Sequence, residues 1–257
     1  MRRAADRNEY WTPERVRSFD EAIGLSNFPD RVMAVLTPLL RKCRTVLDVG
    51  AGIGALSIPL ARRVQAVTAL DPSSTMLDAL RENLKKARLR NVTTLHGKWA
   101  DLPLPPHDLV LVANVAPVFD RLQSFIREVD KVARRAVVLV QNVGPGTEKF
   151  YYGELYPLLL GRPYPHRQDY LHSLGILHGL GIYASVQIIE YNFDQPFTTM
   201  SEAMEFWTTQ MQLSTLEQRR RLRRFLARRL QACNGALLAP MLRKSAVIWW
   251  TMPQRVA

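Results

Sequence analysis

The stretch "VLDVGAGIG" (Val46–Gly54) limits what this chain can fold into more than any other. A short apolar run passes directly into Gly50, Gly52 and Gly54, and then into "ALSIPLARRV". Glycine gives up more backbone freedom on folding than any other residue, so such a cluster needs a reason. A buried strand turning sharply into a helix supplies one. The turn takes positive φ, and the helix start leaves free N–H groups that can face a ligand. A tight strand-to-helix connection without a ligand makes the same demand, so the loop alone does not decide function.

The surroundings of this loop repeat its rhythm. Apolar runs at Val46–Val49, Ala66–Leu70, Val92–Gly97, Asp108–Asn114 and Ala136–Val143 read as strands. Helical patterns lie between them at Leu56–Val64, Ser73–Ala87 and Val118–Ala133, with Ser73 or Ser74 as N-cap of the second. Strands apolar throughout and separated by helices predict a parallel sheet covered on both faces. Two helices precede it, Thr12–Ile23 with Pro13 in its first turn, and Phe28–Lys42. After Gly144 the pattern changes: helices at Glu148–Leu160, Asp169–His178, Ser201–Gln212 and Leu216–Cys233, a strand at Tyr183–Phe193, and a final strand at Ser245–Met252. The expectation is an α/β fold with seven strands and a helical insertion before the last. It divides as one domain over 1–257: an N-terminal helical cap (1–43), a core (44–143), and substrate-side helices with the last two strands (144–257).

Two acids flank the glycines. Asp48 precedes the loop, and Asp71 ends the next strand, where a carboxylate can accept from both hydroxyls of a ribose. The dinucleotide fingerprint G-x-G-x-x-G is not met, because the spacing is Gly-x-Gly-x-Gly with Ala55 following. A carboxylate at position 48 opposes a phosphate and suits an ammonium group.

On "LDVGAGIG" (Leu47–Gly54), "ALDPSSTML" (Ala69–Leu77) and "GKWADLPLPPHDLVLVANV" (Gly97–Val115), the chain resembles the class I, Rossmann-like, S-adenosylmethionine-dependent methyltransferases. The resemblance covers Arg44–Val143 well and the rest loosely. It implies a Rossmann-like, mostly parallel seven-stranded sheet with helices on both faces, its last strand antiparallel. It implies S-adenosyl-L-methionine as cofactor. Gly50, Ala51 and Gly52 would bring backbone against the methionine part, with Gly54 completing the loop. Asp48 would orient the amino group and Asp71 the ribose hydroxyls. Pro72 and Met76 would border the adenosine, and Asn114 and Val115 would lie near the sulfonium and the acceptor. Many relatives read "GDAxxLP" after the third strand, with the acid accepting from the adenine amino group. This chain has Lys98, which has only donors. Adenine contact then falls to the backbone of Trp99 and Ala100, to the indole, or to Asp101. Tyr10, Trp11 and Phe19 would form an apolar lid over the cofactor, or pack on the core.

Methyl transfer from a sulfonium is an in-line displacement of an activated group, so no catalytic constellation is required, and none is obvious. His166, near Asp169, is the candidate base, though a solvated loop histidine fits the same residues. His166, His172 and His178 do not share a helix face, so no metal site is expected. Cys43 and Cys233, the two cysteines of the chain, read as packing residues; they suggest no disulfide framework and a reducing, cytoplasmic setting. No targeting segment and no run of transmembrane length is expected.

The net charge of +12 permits a phosphate-rich partner or an acidic substrate. Its sharpest expression is "LEQRRRLRRFLARRLQAC", with arginines around a stripe of Leu222, Phe225, Leu226, Leu230 and Cys233. The first expectation is a small-molecule acceptor. RNA held by the arginine face is the alternative, and a non-catalytic cofactor-binding module is the other. No membrane partner is expected, and the oligomeric state is open.

Overall fold

The computed structural model describes residues 10–144, 146, 149–165, 169–233 and 235–253. Strands β1 (Thr45–Val49), β2 (Ala66–Asp71), β3 (Val92–His96), β4 (His107–Ala113), β5 (Ala133–Asn142) and β6 (Ser185–Asn192) fall where apolar runs predict them. Three short strands follow, β7 (Gln195–Phe197), β8 (Gln231–Cys233) and β9 (Ala236–Ala239), and then β10 (Leu242–Thr251). The main sheet has seven strands in the order β3-β2-β1-β4-β5-β10-β6. Strands β1 to β5 pair in parallel, and β10 runs antiparallel to both β5 and β6. That is the expected fold, with β10 in the role of the final strand.

Both faces of the sheet are covered, which is why its central strands carry near-continuous apolar runs. Helices α1 (Pro13–Leu25), α2 (Phe28–Leu40) and α3 (Ser57–Ala61) lie on one face. Val32, Leu36 and Leu60 pack there with Val46, Leu109, Val138 and Val247. Helices α5 (Ala116–Phe119) and α6 (Leu122–Val129) cover the other, joined by α8 (Tyr170–Gly179). Phe125, Val129 and Leu177 meet Leu47, Val110, Val137 and Ile248 on that side. Helix α4 (Ser74–Ala87) sets Leu77 and Leu80 against Ala69 of β2. Ser73 caps it, accepting from the Met76 N–H at 3.3 Å.

The segment between β6 and β10 departs from expectation. It holds α9 (Met200–Met211) and α10 (Leu216–Arg229), but also a separate sheet ordered β7-β9-β8. With α7 (Tyr152–Leu160), these enclose a third core around Trp207, Phe197 and Leu222. The helix expected over Leu216–Cys233 ends at Arg229, because Leu230 turns extended (φ −70°, ψ 136°) and 231–233 pair with β9. Asn-Gly at 234–235 is a hairpin signal, and Gly235 takes φ +79°. Cys233 is therefore an exposed strand residue, not a packing one, whereas Cys43 is buried. The helix expected over Val118–Ala133 breaks at Arg121 (φ −132°, ψ 38°), and Ala133 already belongs to β5. The helix expected from Glu148 begins at Tyr152, since Phe150 and Tyr151 both adopt left-handed φ near +57° (59° and 56°); residue 148 lies outside the described residues. Among the described residues, no helix is long and apolar enough to cross a membrane.

Candidate functional site

The loop from β1 to α3 is held by its own backbone. The N–H groups of Gly50 and Ala51 both donate to the Leu70 carbonyl, at 2.7 and 3.0 Å, tying the loop to the end of β2. Gly50, Gly52 and Gly54 take φ of +75°, +55° and +89°. Their constraints differ. A Cβ on Gly50 would lie 2.3 Å from Val115 Cγ2, and one on Gly54 would lie 2.2 Å from Leu80 Cδ1. A Cβ on Gly52 would meet nothing nearer than Met76 Sδ at 3.9 Å. The outer two glycines make room for packing, while the middle one faces open space.

Two buried carboxylates stand on either side of this loop. Asp48, 2% exposed, accepts from the Ser57 hydroxyl at 2.6 Å. Burial pushes its carboxyl up to about 6, with the Asp71 charge adding to the rise and the Ser57 bond opposing it. Asp71 caps two segments at once: Oδ2 accepts from Gly52 N–H at 2.9 Å and Oδ1 from Ser73 N–H at 2.8 Å. Burial raises it too, against those two bonds. Each of its oxygens keeps a lone pair for a further donor. Serines 57 and 73 thus complete the acid pair. Ser57 carries no motif, and only its place as the first residue of α3, the helix after Asp48, hints at its role.

Met76 is buried against Val16 and Ile53, with Trp11 and Phe19 beside it. Two of the three aromatics named as a lid, Trp11 and Phe19, therefore pack against Ile53 of the loop and Met76 of α4, and Tyr10 lies edge-on to Trp11. Pro72 directs its carbonyl to His96 Nε2 at 3.0 Å. At the end of β3, Gly97 N–H donates to the Asp71 carbonyl at 3.1 Å, Lys98 is exposed, and 99–101 form one 3-10 turn that includes Ala100. The Trp99 indole turns to α6, donating to Glu128 Oε2 at 2.9 Å and stacking tilted on Phe125. Backbone is what this turn leaves at the strand end. Asn114 adopts φ +57° just past β4, its N–H donating to Val140 O at 2.9 Å, and Val115 reaches back to Gly50.

The structure thus brings Asp48, Gly50–Gly54, Asp71–Met76 and Val115 together at the carboxyl ends of β1, β2 and β4, with 97–100 beside them. His166 lies outside the described residues. Asp169, its expected neighbour, caps α8 through Leu171 N–H at 3.0 Å and His172 N–H at 3.4 Å. Among the described residues, no group of three or more His, Cys, Asp or Glu is placed to hold a metal ion.

Residues 46–136 match the family described as a methyltransferase domain. Over 249 residues the chain is 26% identical to an uncharacterised protein of Haemophilus influenzae, covering 94% of this chain and 88% of that protein. A stretch of 84 residues is 36% identical to ribosomal RNA small subunit methyltransferase G of Clostridium perfringens. That stretch is 32% of this chain and spans only 35% of the relative's length. In fold, the chain is similar to the crystal structure of a Bacillus halodurans protein assigned as a methyltransferase. The TM-score is 0.56 at 19% identity, over 88% of this chain and 99% of that one. The strand order, the loop with its two acids and the family match agree: residues 46–136 carry a methyltransferase domain, set in a sheet of Rossmann-like fold.

Proposed function

We propose that this protein binds S-adenosylmethionine at the carboxyl ends of β1 and β2 and moves its methyl group to a small-molecule acceptor. One observation carries the reading: an open glycine loop set between two buried carboxylates, Asp48 and Asp71. Such a pair repels phosphate and attracts a cationic aminocarboxylate, so it disfavours a dinucleotide on the same loop. The space before Gly52 fits the methionine part, against the backbone of Gly50, Ala51 and Gly52. Asp48 attracts the amino group, and the unused lone pairs of Asp71 accept from the ribose hydroxyls. Pro72 and Met76 border the adenosine, the backbone of Trp99 and Ala100 meets the adenine, and Asn114 with Val115 stands beside the sulfonium. Gly54 serves by packing on Leu80. The cofactor supplies an activated methyl group; the chain's own residues bind, orient and exclude water.

Aromatic enclosure favours a small acceptor. Tyr152, Tyr156 and Tyr164 lie within 5.6 Å of one another between ring centres, Tyr152 stacked on Tyr164 and Tyr156 edge-on to both. Burial holds the Tyr152 hydroxyl above its usual range, and Tyr10 is close enough to add to the rise. Tyr10 in turn lies 5.0 Å from Trp11, which covers Ile53 of the loop. Apolar and aromatic walls with few polar groups are what small-molecule sites are built from. The second reading, RNA as acceptor, is favoured by the arginines of α10 and by the rRNA methyltransferase relative.

Calorimetry tests the cofactor: binding in roughly the micromolar range is expected, about −8 kcal/mol, and Asp71→Ala abolishes it. No binding by the wild type, or full binding by that variant, would sink the proposal. A labelled-methyl assay on a metabolite extract and on total RNA then separates the acceptors. Cofactor binding with turnover of neither would indicate a non-catalytic module.

A further inference from the structure

Arg243 is a buried cation with no counter-charge among the described residues. It sits at the start of β10 and is 7% exposed. One terminal nitrogen donates to Asn142 Oδ1 at 2.7 Å, and Nε, wholly buried, has no hydrogen-bond partner among the described residues. The guanidinium lies over Tyr191 at 5.8 Å and Phe193 at 5.4 Å. Neighbouring acids are engaged elsewhere. Asp194 accepts from Met241 N–H at 2.8 Å, and Glu190 pairs with Lys244 at 3.1 Å. Among the described residues, no carboxylate forms an ion pair with Arg243. Arginine stays protonated even when buried, so it cannot escape the cost by neutralising. A buried charge facing only a neutral amide and two rings is costly unless something anionic joins it.

Its position is that of a ligand group. Asn142 is the last residue of β5, so the guanidinium stands at the carboxyl edge of the sheet, where open α/β sheets take their ligands. β10 lies two strands from β4, and the register sets Arg243 three residues beyond the position level with Asn114, so their backbones lie roughly 14 Å apart at the usual strand spacing and rise. Its aromatic bed leads back to the cofactor loop: Phe193 packs on Phe19 at 6.1 Å, and Phe19 on Trp11 at 5.5 Å. Planar forks of two N–H groups match carboxylate and phosphate oxygens.

We propose that Arg243 binds an acid group, a carboxylate or phosphate, on the methyl acceptor, with Asn142 holding the guanidinium in place. This rests on the methyl-transfer reading of the site and narrows its substrate to acidic small molecules. The anion completes an ion pair that no described carboxylate supplies.

The test titrates the S-adenosylmethionine-loaded protein with benzoate, phenyl phosphate and neutral benzamide. Wild type is expected to bind at least one of the acids and to bind benzamide far more weakly. Arg243→Met should weaken acid binding roughly 10- to 100-fold, the range set by a lost hydrogen bond to a charged group. Arg243→Lys should retain part of it. Asn142→Asp guards against a folding defect. It supplies an internal carboxylate, so the protein should keep or gain melting temperature while losing acid binding. The cofactor titration is run on every variant and should not change. Failure of the wild type to bind cofactor would defeat the methyl-transfer reading. Intact cofactor binding defeats the Arg243 proposal instead if neither acid binds, if benzamide binds as well as benzoate, or if Asn142→Asp leaves acid binding untouched. The acid that binds more tightly tells carboxylate from phosphate.

Discussion

Gly52 and Gly54 share one loop but would fail differently when replaced. Alanine at 54 meets Leu80 at 2.2 Å in a left-handed conformation, so Gly54→Ala should lose roughly 2–4 kcal/mol of stability in a denaturant titration. Alanine at 52 has space and carries mainly the conformational cost, about 1 kcal/mol. Its methyl group would project into the space proposed for the methionine part, so Gly52→Ala should cut cofactor affinity by more than about tenfold with the fold intact. Asp48 makes a second, pH-dependent prediction. Its folded carboxyl is raised to about 6, whereas the unfolded chain ionises near the ordinary value of about 3.9. Between those values the folded state holds a proton that the unfolded state has released. Stability of the ligand-free protein should therefore fall as pH rises from about 4 to about 6, by about 3 kcal/mol from this group, and level off above. Asp71, raised in the same direction, adds to the trend. A cationic ligand favours the ionised acid, so S-adenosylmethionine should bind more tightly as pH rises through about 6. Asp48→Asn should flatten both curves. Stability that rises over that range would contradict the role given to burial.

At the scale of elements, α4 shows how the site is built into the fold. Ser73 caps the helix while its N–H donates to Asp71, so one residue starts α4 and fixes the acid. Ser73→Ala removes the cap and keeps the N–H. The melting temperature should drop by an amount equivalent to about 1 kcal/mol, with cofactor affinity nearly unchanged. An equal loss of affinity would mean that the hydroxyl, not the backbone, positions Asp71. These elements were readable because each is specified locally: an apolar strand, a turn rich in glycine, a serine cap. β1, β2, α4 and the Asp48–Asp71 pair all carry such marks. The small sheet β7-β9-β8 does not. Its strands have three or four residues, too few for a period of two to register, and β8 continues the sequence of a strongly helical segment. Only Asn-Gly at 234–235 marked the reversal. Arg243 was hidden for another reason. An arginine beside Lys244 reads as a solvated pair, and the two are told apart only by the strand alternation that turns 243 inward and 244 outward.

At the scale of the whole molecule, the net charge of +12 must be placed before it can be interpreted. Helix α10 carries much of it. Leu222 and Leu226 are buried in the insertion core, and seven arginines are exposed around them. Arg221 and Arg224 approach Glu217 at 2.8 and 3.9 Å, and Arg229 pairs with Glu154. Among the described residues, no carboxylate pairs with Arg219, Arg220, Arg223 or Arg228. An RNA acceptor would use such a face, and methylation would then depend steeply on salt, at a slope near 0.7 for each phosphate contacted on a single strand. A small acidic acceptor bound within the sheet edge would not touch it. Replacing all four free arginines with glutamine removes the face without disturbing Leu222 or Leu226. Exposed substitutions of this kind change stability by less than about 0.5 kcal/mol each. With a small acceptor, kcat/KM should stay within about twofold of wild type, about 0.4 kcal/mol, because the four groups take no part in the transition state. Initial rates on a metabolite acceptor, measured for both proteins across a salt series, decide the matter. Parallel, shallow lines place the arginines outside the reaction. Methyl transfer to total RNA with a steep salt line in wild type, lower and flatter in the variant, would return RNA to first place.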